Sequence, residues 1–185
     1  MSTADPVNSP ASSNTWINGL KWGSRWDSPG AGPAVITYAL QASGTLDFGG
    51  FPVTATDPYA AEEAALAAVL ASIETIINVD FVLTANPTSA DIVFASVDDI
   101  DAEGNLGIAL PPGEYFNPSL GDWQSAVIVN YEAYAVDGGG NPTALNAGGF
   151  DYITWIHETG HALGLAHPHD NGGTSTIFPG VTAEF

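Results

Sequence analysis

The most regular hydrophobic pattern in the chain lies between residues 58 and 77. Apolar residues recur there at helical spacing, namely Leu66, Val69, Leu70, Ile73, Ile76 and Ile77. This spacing predicts one long helix with a single buried face. Asp57 is placed to cap this helix, and Pro58 suits its first position, where no amide donor is needed. Glu62 and Glu63 lie near the positive end of its dipole.

Shorter apolar segments on both sides of this helix predict β-strands. They are Ala34–Leu40, Asp80–Thr84, Asp91–Ala95, Leu106–Leu110 and Ala126–Tyr131. Strands and one long helix, followed by a second helix, predict a single mixed α+β domain over residues 15–185. Residues 1–14 are rich in Ser, Pro, Ala and Asn and predict a flexible lead-in.

Charge narrows the classes of partner. The chain has 185 residues, of which 21 are acidic and only Lys21 and Arg25 are basic, for a formal net charge of −19. A surface of this sign repels phosphate backbones and anionic lipid headgroups, so we expect neither nucleic acid nor membranes as partners. It favours solubility and offers carboxylates to cations such as calcium.

The sequence contains no cysteine and no apolar segment typical of secretion signals or membrane spans. Without cysteine, the chain has neither a disulfide framework nor a thiolate zinc site, so any zinc must be bound by imidazole and carboxylate. The first residues have no basic and apolar regions of a classical secretory signal, and no apolar run approaches the roughly 18 residues that span a bilayer.

All four histidines fall in one short segment, which reads HETGHALGLAHPH from His157 to His169. On a helix, positions i and i+4 share a face, so His157 and His161 are predicted to point at one metal ion. Gly164 suits the left-handed geometry that ends a helix. The chain then turns, and His167 is predicted to return as the third ligand.

This residue set suits hydrolytic zinc chemistry. Three imidazole ligands leave one coordination position for water, as catalytic rather than structural zinc sites do. Glu158 is predicted to take a proton from that water during attack on a peptide carbonyl. The alternative is a surface helix that carries histidines by chance. Five constrained positions at fixed spacing, with no other histidine in the chain, argue against that alternative.

The extended motif HExxHxxGxxH at residues 157–167 is that of the metzincins. With Pro168 after the third histidine, the segment closely resembles the serralysin family of secreted bacterial metallopeptidases. A weaker likeness extends upstream through the segments WINGLKWG, ITY, ADIVFA and GIALPP. The resemblance covers most of residues 16–170, and the zinc motif is its specific part.

The resemblance implies a zincin-like (metzincin) fold with a mixed, twisted five-stranded sheet, one antiparallel edge strand and two long helices. It implies a secreted, extracellular zinc endopeptidase that acts on polypeptides. The segment Leu106–Leu110 matches the edge strand, which holds an extended substrate by β-augmentation. Ile108, Ala109 and Leu110 therefore mark a substrate-binding position through their backbone groups.

The sequence also departs from that family. A methionine-containing turn, followed by a tyrosine, is expected beneath the zinc, but the only methionine is Met1 and the sequence stops at Phe185. Calcium is implied mainly through glycine- and aspartate-rich repeats, which are absent here along with the C-terminal secretion signal. We therefore expect residues 15–185 to be a peptidase domain truncated at its C-terminal side. A missing segment of the same protein would complete it, and the 185-residue chain would be nearly inactive in isolation.

Two other functions remain open at this stage. The first is a non-catalytic zinc-binding, peptidase-like module of a larger secreted or surface protein, which the missing methionine turn favours and Glu158 opposes. The second is an inhibitor or immunity-type binding protein, for which acidity is the only support.

Several weaker features are interpreted structurally. Residues 99–105 have the acid spacing of a calcium loop, but Leu110 stands where such a loop needs a bidentate Glu, so we predict an acidic turn. His169 is predicted to be a spare polar residue, because a fourth histidine ligand would close the open coordination position. Aromatic residues near the N-terminus and on the zinc helix are predicted to pack in the interior: Trp16, Trp22, Trp26, Tyr152 and Trp155.

Overall fold

The structure, a computed structural model, describes residues 4–27, 30–47, 52–98, 105–117, 122–169 and 171–182. Residues 99–104 of the predicted acidic turn lie outside these ranges. The strands described are β1 (Asp5–Asn8), β2 (Ser24–Asp27), β3 (Ala34–Leu40), β4 (Gly44–Asp47), β5 (Pro52–Thr56), β6 (Val79–Leu83), β7 (Ile92–Val97), β8 (Gly107–Asn117) and β9 (Asp122–Asn130). The helices described are α1 (Thr15–Asn18), α2 (Ala60–Glu74) and α3 (Phe150–Ala162), with short 3-10 turns at Pro87–Ser89 and Tyr131–Ala133.

Five strands form a mixed sheet in the order β6-β3-β7-β9-β8. The first four are parallel to one another, and β8 runs antiparallel to β9. Every residue of β7 is buried, as expected for a central parallel strand that is covered on both faces. The protein is therefore of the mixed α+β class that the sequence predicts.

The sheet is larger than the five strands expected. Within the described ranges it has seven, because the antiparallel hairpin β4–β5 joins β7 through Ala55 and Thr56. Since β9 occupies one edge of β7 along its whole length, β5 pairs with the other edge, beyond the end of β3. This hairpin was not predicted from the sequence. Its alternation of apolar and polar residues is short, and its pairing depends on the distant strand β7.

Helix α2 packs on this sheet through Leu66, Val69 and Leu70, which are buried as predicted. It ends at Glu74, so Ile76 and Ile77 lie beyond it and are 80% and 43% exposed. Their predicted place on the buried face is therefore wrong. Local periodicity continues past the point where the helix ends and the chain turns into β6.

The start of α2 also differs from the prediction. Tyr59 is the N-cap, and its amide donates to Glu62 Oε2 at 2.7 Å. Asp57 instead accepts a hydrogen bond from the Ser43 amide at 2.8 Å and so ties the end of β5 to the start of β4. The helix begins at Ala60, two residues after Pro58, and the Asp57 carboxylate bonds to the loop before β4 and not to the helix.

A buried polar network joins α2, the sheet and α3. Glu62 Oε1 accepts hydrogen bonds from Ser96 Oγ at 2.6 Å and from the Tyr134 hydroxyl at 3.0 Å. The same hydroxyl accepts a bond from Trp155 Nε1 at 2.9 Å. Burial and the nearby Glu62 carboxylate raise the pKa of Tyr134. The network thus positions α3 by directional bonds as well as by apolar contact.

Part of the predicted lead-in, Asp5–Asn8, forms a strand. Strand β1 pairs antiparallel with β2, and the Ser9 amide donates to the Gly23 carbonyl at 2.7 Å. These backbone bonds to a distant segment cannot be read from a stretch rich in Ser, Pro and Asn. Within the described ranges, no helix is both long and apolar enough to cross a membrane.

Candidate metal centre and active site

Helix α3 presents two of the predicted metal ligands on one face. Trp155 and Tyr152 are buried in the core and anchor the helix by its inner face, as the sequence predicts. Because positions i and i+4 share a face, His157 and His161 then both point outwards. The helix starts after Gly149, where an added Cβ would lie 2.1 Å from the Ala144 carbonyl oxygen.

Gly164 ends this helix in the geometry that the sequence predicts. Its φ is +95°, and its amide donates to the His161 carbonyl at 2.8 Å. The Leu165 amide donates to the Gly160 carbonyl at 3.0 Å, which completes a Schellman motif. A Cβ at Gly164 would also lie 2.2 Å from the Ser24 carbonyl oxygen, so the position has no room for a side chain.

The chain beyond Gly164 is held against the N-terminal segment. The Trp22 amide donates to the Gly164 carbonyl at 2.9 Å, and the Ala166 amide donates to the Leu20 carbonyl at 3.0 Å. These bonds hold the returning segment directly before the third histidine. The N-terminal segment therefore positions His167, a role that the motif alone did not predict.

The three predicted ligands converge on one point. His157 Nε2 lies 2.9 Å from His167 Nε2, and His161 Nε2 lies 3.1 Å from each of the other two. Zinc–nitrogen bonds of about 2.0–2.1 Å in tetrahedral geometry put ligand atoms roughly 3.3 Å apart. The observed triangle is close to that size, so the three imidazoles fit a single zinc ion.

The protonation pattern of the site also fits a metal. His161 Nδ1 lies 2.9 Å from the Leu165 carbonyl oxygen, so its proton is held there and its Nε2 lone pair faces the other two rings. Burial, together with the neighbouring His161, lowers the pKa of His157 and so favours the neutral ring that binds metals. His169 stacks on His167 with ring centroids 5.0 Å apart, outside the group of three.

Glu158 lies beside the histidines in the same cleft. It is 7% exposed, and burial raises the pKa of its carboxyl to about 7. Gly107, the first residue of β8, lies against it, since a Cβ there would be 2.7 Å from Glu158 Cγ. The cleft thus combines three imidazoles, whose spacing suits a metal ion, with a carboxyl group of raised proton affinity.

The predicted edge strand forms a wall of this cleft. Ile108 and Ala109 line it together with the three histidines and Glu158, whereas Leu110 packs in a cluster that includes Ala126 and Ile128. Strand β8 pairs with β9 on one side and with no other described strand. It therefore offers a free edge of the kind to which extended peptides add.

Sequence reasoning missed four residues that line the cleft, namely Trp22, Asn105, Gly107 and Pro111. Of the three N-terminal tryptophans predicted to pack in the interior, Trp26 does so, whereas Trp22 faces the cleft and Trp16 is about half exposed. A glycine at the start of an apolar strand was the available signal for Gly107, because it often marks a close approach of another group.

Comparison with known proteins gives distant matches. The chain is 30% identical over 105 residues to a protein named serralysin from Photorhabdus luminescens, which covers 56% of this chain and 19% of that protein. It is 29% identical over 120 residues to another serralysin, from Photorhabdus laumondii subsp. laumondii, covering 64% of this chain and 22% of that protein. The chain thus spans about a fifth of the length of the curated relatives it matches. No protein-family model matches the chain. These similarities support a distant, metallopeptidase-like relationship.

Proposed function

We propose that this chain is the catalytic part of a serralysin-like, zinc-dependent endopeptidase. The observation that carries the proposal is the convergence of three imidazole nitrogens within 2.9–3.1 Å of one another, with a buried Glu158 in the same cleft. A purely structural zinc site has no use for a carboxyl group at that place, which argues against the alternative of a non-catalytic zinc module.

Each residue of the cleft has a role in this proposal. His157, His161 and His167 hold the zinc, which supplies Lewis-acid chemistry when bound. The Glu158 carboxylate takes a proton from the attacking water and passes it to the leaving amine. The free edge of β8 at Ile108 and Ala109 holds the substrate backbone extended, which orients the peptide carbonyl.

The finer assignment of the fold is part of the same proposal. Within the described seven-stranded sheet, the four parallel strands and the antiparallel edge strand β8, packed against two long helices, support a zincin-like fold of the metzincin type. The distant similarity to serralysins supports a secreted, extracellular protein and an additional segment of the same polypeptide. Calcium binding is proposed only for that additional part.

Zinc analysis combined with casein cleavage tests the function. The wild-type chain, with and without the downstream polypeptide, should bind one zinc per chain, and the preparation that includes that polypeptide should cleave casein. Glu158→Gln should keep the zinc and lose nearly all hydrolysis, because the base is removed and no ligand is. Glu63→Gln on α2, which removes one carboxylate outside the cleft, is the matched control and should behave as wild type. Bound zinc without hydrolysis in every preparation would favour the non-catalytic module.

A further inference from the structure

Trp22 lines the cleft although it is remote in sequence from the histidines and Glu158. Its backbone is held on both sides. The amide donates to the Gly164 carbonyl at 2.9 Å, and the carbonyl accepts from the Thr174 amide at 2.6 Å. Because Gly164 lies between the second and third histidines in sequence, the indole is held in register with the metal centre.

A carboxylate stands next to this indole. Trp22 Nε1 donates a hydrogen bond to Glu114 Oε1 at 3.1 Å, and Glu114 is exposed on β8. Pro111 on the same strand also lines the cleft. An aromatic ring and an accessible carboxylate are therefore placed together along the strand that we propose to hold the substrate.

Neither basic residue of the chain is committed to this carboxylate. Arg25 pairs with Asp27 at 2.8 Å, and the Lys21 ammonium donates to the Pro10 carbonyl. These are the only lysine and arginine in the sequence, and the net charge is −19. The net charge of the protein therefore favours the approach of cationic groups over acidic ones.

We propose that Trp22 and Glu114 form a subsite that selects a basic substrate side chain, Arg or Lys, close to the bond that is cleaved. The inference rests on the proposed peptidase function and adds a specificity to it. A cation is attracted both by the face of an indole and by a carboxylate, and the planar guanidinium of Arg also stacks on the ring. An acidic side chain at this place meets Glu114 and is disfavoured.

Fluorogenic peptides that differ at one position test this subsite. Arg, Leu or Glu is placed at each of the positions on either side of the scissile bond, and kcat/KM is measured with the zinc-loaded protein and its downstream polypeptide. At one position we expect Arg to exceed Leu by about three- to tenfold, with Glu lowest. Glu114→Gln and Trp22→Ala should each move the Arg-to-Leu ratio towards one, while Trp22→Phe should retain part of it.

Glu63→Gln separates a local subsite from the general field of the protein, because it changes the net charge by the same amount outside the cleft. It should leave the Arg-to-Leu ratio as in wild type. A wild-type ratio of one overturns the proposal, and so does a ratio that Glu114→Gln and Trp22→Ala leave unchanged. An equal fall in Glu114→Gln and Glu63→Gln would assign the preference to net charge and overturn it as well.

A binding measurement keeps this inference distinct from the proposed function. The same peptides, labelled for fluorescence anisotropy, are titrated onto the zinc-loaded Glu158→Gln protein, and the Arg-to-Leu ratio of Kd values is compared with that of its Glu114→Gln double variant. Cleavage of Arg and Leu peptides at equal rates, with equal Kd values, would leave the peptidase and remove the subsite. Selective binding of Arg peptides without any cleavage by wild type would leave the subsite and remove the peptidase.

Discussion

Replacing Gly107 by alanine tests how closely the edge strand positions the proposed base. A Cβ at Gly107 would lie 2.7 Å from Glu158 Cγ and 3.0 Å from its Cδ and Oε1, whereas ordinary contacts begin at 3.4 Å. Glu158 is buried beside the three histidines, so the side chain or the strand must move. The Cβ and Glu158 Cγ must separate by roughly 0.7 Å to reach an ordinary contact. A misplacement of about 1 Å in a catalytic group costs on the order of 100-fold in rate.

We therefore expect Gly107→Ala to lower kcat by about 10- to 100-fold. Zinc content should stay unchanged because the three atoms nearest to an added Cβ all belong to Glu158. KM should change much less than kcat, since the free backbone edge at Ile108 and Ala109 is kept. The assay is steady-state cleavage of a peptide substrate by the protein supplied with its downstream polypeptide, with zinc measured on the same samples.

Gly138→Ala is the matched control, since a Cβ at Gly138 meets no atom within 4 Å. It should keep the wild-type kcat. If Gly107→Ala retained kcat within about twofold at full zinc content, the close approach to Glu158 would have no catalytic importance. If Gly107→Ala lost its zinc, the effect would act through the metal site, and the reasoning from Glu158 would again be wrong.

Four further predictions concern stability. Gly164→Ala should unfold the protein or lower its Tm by more than about 10 °C. A Cβ there would lie 2.2 Å from the Ser24 carbonyl oxygen, and the φ of +95° disfavours any side chain. A melting curve like that of wild type would refute this prediction. Tyr134→Phe removes a hydroxyl that bonds both Glu62 and Trp155. It should lower the free energy of unfolding by about 1–3 kcal/mol, or Tm by roughly 2–12 °C. An unchanged Tm would mean that water or neighbouring groups replace the hydroxyl. Protein with free zinc at 100 times its Kd should have a free energy of unfolding about 2.7 kcal/mol higher than protein treated with EDTA. A variant that lacks one of the three histidines should show no such difference between the two conditions. The additional segment proposed above should raise Tm by covering Phe150 and Ile153 on α3, which are 59% and 52% exposed; calorimetry with and without it tests this.

The zinc motif could be predicted because its geometry is local. Helical spacing places His157 and His161 on one face, and the left-handed Gly164 reverses the chain within a few residues so that His167 approaches both. Backbone rules that act over one or two turns bring the three residues near one another, and bonds from the distant N-terminal segment then hold the chain before His167. The roles of these residues in catalysis, and that of Glu158, stay predictions for the experiments above.

Strands covered on both faces could also be predicted. Ala34–Leu40 has the bounds expected from its apolar run, and the buried strands β7 and β9 lie where the sequence places them to within a few residues. The strands that were missed are β1, β2, β4 and β5. They are short and carry polar residues, so their pairing depends on partner strands that local pattern does not identify.

The sequence by itself determined the α+β class, the main strands and helices, and the set of chemical groups available for metal binding. Only the tertiary structure decided which distant residues complete the cleft. Gly107 meets Glu158, Trp22 bonds to Gly164, and the Trp22 indole bonds to Glu114 on β8. The physical reason is the distance along the chain over which each kind of interaction acts. Dihedral preferences and apolar periodicity act between near neighbours in the chain, whereas these contacts depend on how the sheet, the helices and the N-terminal segment pack together.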